Sequence, residues 1–119
     1  MPQDPVSIVK DTINMFCHDV EPSLAAEAAS KIVPHSNECF STPTKHAGWT
    51  PYPCAYIVTM EDHVAPPAIF RWMLDELLLK DPEIMKRWDV FKLKSSHSPF
   101  LSMPDECLKI IEQYANGTT

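Results

Sequence analysis

Residues 53–67, Pro-Cys-Ala-Tyr-Ile-Val-Thr-Met-Glu-Asp-His-Val-Ala-Pro-Pro, constrain the fold more than any other part of this chain. The run Tyr56-Ile57-Val58-Thr59 is aromatic and β-branched, and its length and turn-rich flanks predict a buried strand. Asp62 follows the strand. The paired prolines Pro66 and Pro67 then open a helix, because proline suits a first helical turn and cannot extend a central strand. Asp62 is thereby placed where a strand leaves its sheet, the end at which open α/β sheets put their chemistry. Asp89-Val90-Phe91-Lys92-Leu93-Lys94 predicts a second strand, which runs into Ser95-Ser96-His97-Ser98-Pro99-Phe100. An acid and a histidine thus follow separate strands, in that chain order.

The rest of the chain reads around this pair. Asp4-Pro5 has the form of a helix start, and Val6, Val9, Ile13, Phe16 and Cys17 recur at helical spacing to about His18. A second helix opens at Pro22, with Leu24, Ala25, Ala28, Ala29 and Ile32 on one narrow apolar face, and Pro34 stops it. Residues 35–53 are rich in Ser, Thr and Pro and predict irregular structure. Within it Trp49 is expected to anchor the loop, while Phe40 could serve a pocket or an anchor. Ile69, Phe70, Met73, Leu74, Leu77 and Leu78 form a helical stripe ended by Asp81-Pro82. Ser102-Met103-Pro104-Asp105 starts the last helix, whose buried face is predicted to be Cys107, Leu108, Ile111, Tyr114 and Ala115. Strand, helix, strand, helix is the signature of parallel strands joined by a crossover helix.

Composition excludes several classes of function. With 16 acids against 10 Lys and Arg, and those bases scattered, the net charge of -6 disfavours nucleic acid and anionic membrane partners. No apolar run is long enough to span a bilayer, and Met1-Pro2-Gln3-Asp4-Pro5 lacks the basic head and apolar core of a signal peptide. Cys17, Cys39, Cys54 and Cys107 form no C-x-x-C pair; free thiols and a cytoplasmic setting are expected, with a disulfide as the other reading. Asn116-Gly117-Thr118 matches a glycosylation sequon, taken as chance without a secretory signal. His18, His35 and His46 have no metal-ligand spacing, and no cofactor motif occurs, so neither a metal nor a cofactor is expected.

A histidine that works as a general base near neutral pH needs a partner that fixes its tautomer and stabilises the imidazolium. Asp62 can be that partner for His97, since the interval between them holds one helix and one strand. The bland reading is a solvated strand-end acid and an ordinary loop histidine. His63, beside Asp62, is expected at a pocket rim, Glu61 in solvent, and Ser96 and Ser98 in loop hydrogen bonding rather than as nucleophiles.

The segment Tyr56-Ile57-Val58-Thr59-Met60-Glu61-Asp62 with Val64-Ala65-Pro66 resembles the strand and loop that bear the triad acid in α/β-hydrolases, in particular the small esterases of the methylesterase and hydroxynitrile lyase group. Ser96-His97-Ser98-Pro99-Phe100-Leu101-Ser102-Met103-Pro104 is similar to their histidine segment. Phe16-Cys17-His18-Asp19-Val20 and Ala29-Ser30-Lys31-Ile32-Val33-Pro34-His35-Ser36 are similar to their cap region. The resemblance implies Asp62 as triad acid and His97 as general base, with residues 1–52 as cap helices and loop and 53–119 as the C-terminal strand-helix-strand-helix of the core. The implied fold is α/β, the C-terminal part of an α/β-hydrolase.

One departure from that pattern is large. Such enzymes carry their nucleophile in G-x-S-x-G, at an elbow too tight for side chains. The chain has two glycines, Gly48 and Gly117, against twelve prolines, and none of its serines lies in that motif. A glycine-rich oxyanion loop is missing as well. The expected function is therefore that of a truncated serine hydrolase acting on carboxylic esters, inactive alone. A small ester-like substrate is expected for the complete enzyme. The alternative is a non-catalytic module that pairs with another hydrolase chain or with a second copy of itself. An unrelated small α/β binding domain is the third reading.

Overall fold

The computed structural model describes residues 5–117. The described residues form two strand pairs and six α-helices, and the parallel pair is their centre. Strand β3, Cys54–Thr59, pairs in parallel with β4, Trp88–Leu93, in a register that sets Cys54 opposite Trp88 and Thr59 opposite Leu93. Between them run helix α4, Pro67–Lys80, and a 3-10 turn, Ile84–Lys86. This matches the expected crossover, with β4 one residue earlier than predicted. Tyr56 packs its ring on Phe70 of α4 at 4.3 Å between centroids, so α4 covers the face of the sheet that carries Tyr56 and Val58. After β4 come α5, Pro99–Ser102, which the sequence did not signal, and α6, Pro104–Ala115.

The N-terminal region differs from expectation. No helix starts at Pro5; Val6–Ser7 form a short strand, β1, antiparallel to β2, His35–Ser36. The Pro5 carbonyl accepts the Asn37 amide, which fixes this segment as extended chain. Asp11 then takes a left-handed conformation at φ 53, and helix α1 occupies only Thr12–Phe16. Asp4, the expected cap, lies outside the described residues, as does Thr118 of the sequon. Helix α2, Pro22–Ser30, starts where predicted, with the Glu21 carboxylate accepting the amides of Ser23 and Leu24, but it ends before Ile32. A single turn, α3, Glu38–Ser41, interrupts the irregular region. Trp49 sets its ring edge-on to Trp88 and so anchors the loop, whereas Phe40 sets its ring 5.3 Å from that of His35 and stays exposed.

The core is small. Cys17, Val20 and Ala25 pack with Phe16 and Leu101, which joins the α1–α2 corner to α5. All four cysteines are free. The predicted buried faces are only partly buried: Val58 is the one fully buried residue of β3, α4 has none, and on α6 Leu108 and Ile111 are more than half exposed while Cys107 is buried. Trp72 and Leu79 are 64% and 80% exposed. The surface totals 9063 Å², against about 6,500 Å² for a compact domain of this mass. The radius of gyration is 16.7 Å, against about 13.5 Å for a compact chain of this length. The even residues of β3 hydrogen bond toward β4, as Cys54 N–H to Arg87 and Met60 N–H to Leu93 show. The alternation of a parallel ladder therefore leaves the backbone groups of Ala55 and Ile57 on an open edge.

Depth of burial predicts where this fold is sensitive. Ile84 is 1% exposed, and Ile84→Ala should cost about 3 kcal/mol. Leu79→Ala should stay within about 0.5 kcal/mol of wild type. Urea denaturation checks both, and equal midpoints for the two variants would contradict this account of the core.

Candidate active site

The β3 exit is built around one carboxylate. Asp62 closes a turn in which its amide donates to the Thr59 carbonyl at 3.3 Å. Its Oδ1 accepts the amides of Val64 and Ala65 at 2.8 and 2.9 Å. Its Oδ2 accepts the Thr59 hydroxyl at 2.7 Å and the His97 Nδ1–H at 2.9 Å. Aspartate suits the position because its short side chain reaches backbone amides two and three residues ahead. Burial alone would push the Asp62 carboxyl up, but bonds from Ala65, Thr59, His97 and Val64 outweigh it and hold the group below the ordinary carboxylate range. Asp62 is 6% exposed, so the anion is kept from water and spends its lone pairs on protein donors.

The β4 exit is a serine loop. Ser95 turns back, its amide donating to Leu93 O, and its hydroxyl donates to Ser96 O. The Ser96 hydroxyl donates to Phe16 O and accepts the Ser98 amide, while the Ser96 amide donates to Asp19 Oδ2 at 3.0 Å. Ser95 and Ser96 are fully buried. Their hydroxyls are spent within the scaffold, and among the described residues no serine hydroxyl hydrogen bonds to His97. Phe16 packs its ring on the imidazole, 5.4 Å between centroids. With Nδ1–H given to Asp62, His97 presents Nε2 on its outer side, and 41% of its side chain is exposed.

The structure thus brings the two sequence-predicted residues, Asp62 and His97, into direct contact at one end of the parallel pair. A cleft of about 270 Å³ lies beside them, walled by Ile57, Ala65, Phe70 and Phe100 among others. A larger groove of about 670 Å³ lies away from the pair, between β4 and α6, and includes neither residue. An imidazole backed at Nδ1–H by an anionic acceptor can take a proton at its outer Nε2 and return it. Among the described residues no helix is long and apolar enough to cross a membrane.

Two features escaped the sequence reading. His63 is not a pocket rim: its Nδ1–H donates to Asn14 O at 2.8 Å, and its ring stacks on His18 at 3.9 Å. His18 Nε2–H in turn donates to Glu61 O at 2.7 Å. Asp19 carries no signal in the sequence beyond the cap likeness, yet its Oδ2 accepts the Ser96 amide of the histidine loop. Neither link has a local pattern, since each joins positions more than 40 residues apart.

No family model matches the chain, and no curated protein matches its sequence. Its fold is similar to the crystal structure of the pyrethroid hydrolase PytH with BIF, at a TM-score of 0.61 and 22% identity. The match covers 94% of this chain and 47% of the other, so this chain spans about half the length of that enzyme. At that identity the likeness is one of fold alone, consistent with an α/β arrangement.

The lowered carboxyl of Asp62 fixes the sign of a pH effect. The folded protein binds that proton more weakly than the unfolded chain, so the stabilisation is full above about pH 4 and is lost as pH falls through the lower folded value. Asp62→Asn should flatten the acid limb of the Tm–pH profile, the remaining slope coming from Asp19, Glu21 and Asp81, which are lowered too. An acid limb as steep as wild type would contradict this.

Proposed function

We propose that this chain supplies the acid and the general base of a serine-hydrolase-type centre, and that its nucleophile comes from protein outside these 119 residues. The observation that carries the reading is the 2.9 Å bond between His97 Nδ1 and Asp62 Oδ2 beside an apolar cleft. The fold shared with a hydrolase over about half of its length supports it. In this reading residues 53–119 are the C-terminal part of the core and residues 1–52 its cap.

The chemistry is hydrolysis of a carboxylic ester. His97 Nε2 takes the proton of a serine hydroxyl as that oxygen bonds to the ester carbonyl carbon. The alkoxide leaves with the proton from Nε2, giving an acyl-enzyme. Water then attacks as Nε2 takes its proton, and returning that proton to the serine releases the acid. Asp62 stays ionised throughout, holding Nδ1–H and stabilising the imidazolium. The apolar walls Ile57, Phe70 and Phe100 suit an apolar acyl or alcohol group. The four free thiols fit a reducing, cytoplasmic setting.

A second reading is favoured by the open β3 edge and the exposed Trp72, Leu79 and Ile111: a non-catalytic module that docks on a partner chain. Under the first reading those surfaces are covered by the nucleophile-bearing half of the same fold.

Two measurements test the proposal. The purified chain and its His97→Ala variant should hydrolyse p-nitrophenyl butyrate at equal, background rates; a His97-dependent burst would place the nucleophile inside the chain. The DNA upstream of Met1 should encode an in-frame G-x-S-x-G. An in-frame stop codon with no such motif before it would leave only the partner-binding reading.

A further inference from the structure

We infer that Asp19 is a positioning residue for His97: through the Ser96 amide, the α1–α2 corner sets the orientation of the imidazole against Asp62. The inference rests on the reading of Asp62 and His97 as an acid–base pair and adds to it a third side chain, 77 residues from the loop it holds.

The loop from Ser95 to Ser98 has little of its own to fix it. Its internal bonds are the Ser95 amide to Leu93 O, the Ser95 hydroxyl to Ser96 O and the Ser98 amide to the Ser96 hydroxyl. They shape the turn, and the Ser98 carbonyl leads it into α5 by accepting the Leu101 and Ser102 amides. The loop's first residue is tied to the acid loop, the Ser95 carbonyl accepting the Glu61 amide at 3.0 Å. Two hydrogen bonds from buried Ser96 tie the loop to the α1–α2 corner, its amide to Asp19 Oδ2 at 3.0 Å and its hydroxyl to Phe16 O at 3.3 Å. The residue so held is the one directly before His97.

The anchor is itself rigid. Phe16 and Leu101 pack against Cys17, Val20 and Ala25, the best-buried cluster of the N-terminal region. Asp19 sits between Cys17 and Val20 of that cluster, so its carboxylate is presented by a packed backbone. Burial pushes the Asp19 carboxyl up, but the Ser96 amide it accepts and the neighbouring Ser96 and Ser102 hydroxyls outweigh that and hold it below the ordinary carboxylate range, while its buried Oδ1 has no hydrogen-bond partner among the described residues. A charged acceptor bonds an amide more strongly than a neutral one and with tighter geometry. The same corner also reaches the acid loop, through His18 to Glu61 O and His63 to Asn14 O. Both strand exits are therefore referred to one piece of scaffold, and the imidazole is further held by the Phe16 ring. A general base misplaced by about an ångström can lose on the order of a hundredfold in rate, which makes such a tie worth having.

The test reads the His97 tautomer by long-range proton–nitrogen NMR on the nitrogen-15-labelled chain at about pH 8, where imidazoles are neutral. A neutral imidazole free in water favours the Nε2–H form, so an Nδ1–H form reports the bond to Asp62. Wild type is expected to show Nδ1–H, Asp62→Asn to lose it, Asp19→Ala to lose most of it and Asp19→Asn, which keeps an acceptor for the Ser96 amide, to retain it. A general loss of stability would not move the tautomer of a protein that is still folded. If Asp62→Asn loses the Nδ1–H form while Asp19→Ala keeps it, the role of Asp19 is overturned and the acid–base pair stands. If wild type lacks it, the pair fails and this inference with it. Should Asp19→Ala not fold, wild type still decides: the Ser96 amide proton should move with the acid titration of the Asp19 carboxyl, and an amide that ignores it overturns the inference.

Discussion

Everything at this site depends on one buried carboxylate being kept charged. Asp62 accepts from two backbone amides, a hydroxyl and an imidazole, and each of those donors is fixed by an element the chain forms for other reasons. The parallel pairing of β3 with β4 sets the two exits side by side, since Thr59 lies opposite Leu93 and both strands end there. From that register it follows that the loops after them leave in the same direction. The acid–base contact is then a consequence of sheet topology, and the serine loop supplies the last few ångströms.

The central strands, the crossover helix and the placement of Asp62 and His97 after those strands could be read from local pattern. Tyr56 to Thr59 is a β-prone run, α4 has a helical stripe, and Asp62 and His97 follow strands. What could not be read was set by contacts between distant residues. The short β1 exists because Val6 and Ser7 meet Ser36 and His35, and that pairing overrode a plausible helical periodicity. Asp19 looked like any acid after a helix, and only the arrival of Ser96 gives it a role. The apolar stripe of α4 was a sound guide to a helix and a poor guide to burial, because periodicity tells which face seeks cover and not whether this chain provides it.

That last point bears on function. A sheet of two strands leaves the outer edge of each strand without a strand partner, and the helices beside it expose Trp72, Leu79 and Ile111. Surface of this kind is ordinarily covered, and the hydrolase of similar fold has about as much chain again beyond the matched half. The uncovered apolar side and the absence of G-x-S-x-G are what the proposal of a nucleophile supplied from elsewhere rests on, beside the Asp62–His97 contact.

The most direct measurement of the central claim is neutron diffraction from deuterium-exchanged crystals of the chain. The account predicts a deuteron on His97 Nδ1 pointing at Asp62 Oδ2, with the carboxylate itself carrying none. An imidazole turned away from Asp62, or a carboxyl group that holds the deuteron while Nδ1 is bare, would contradict it.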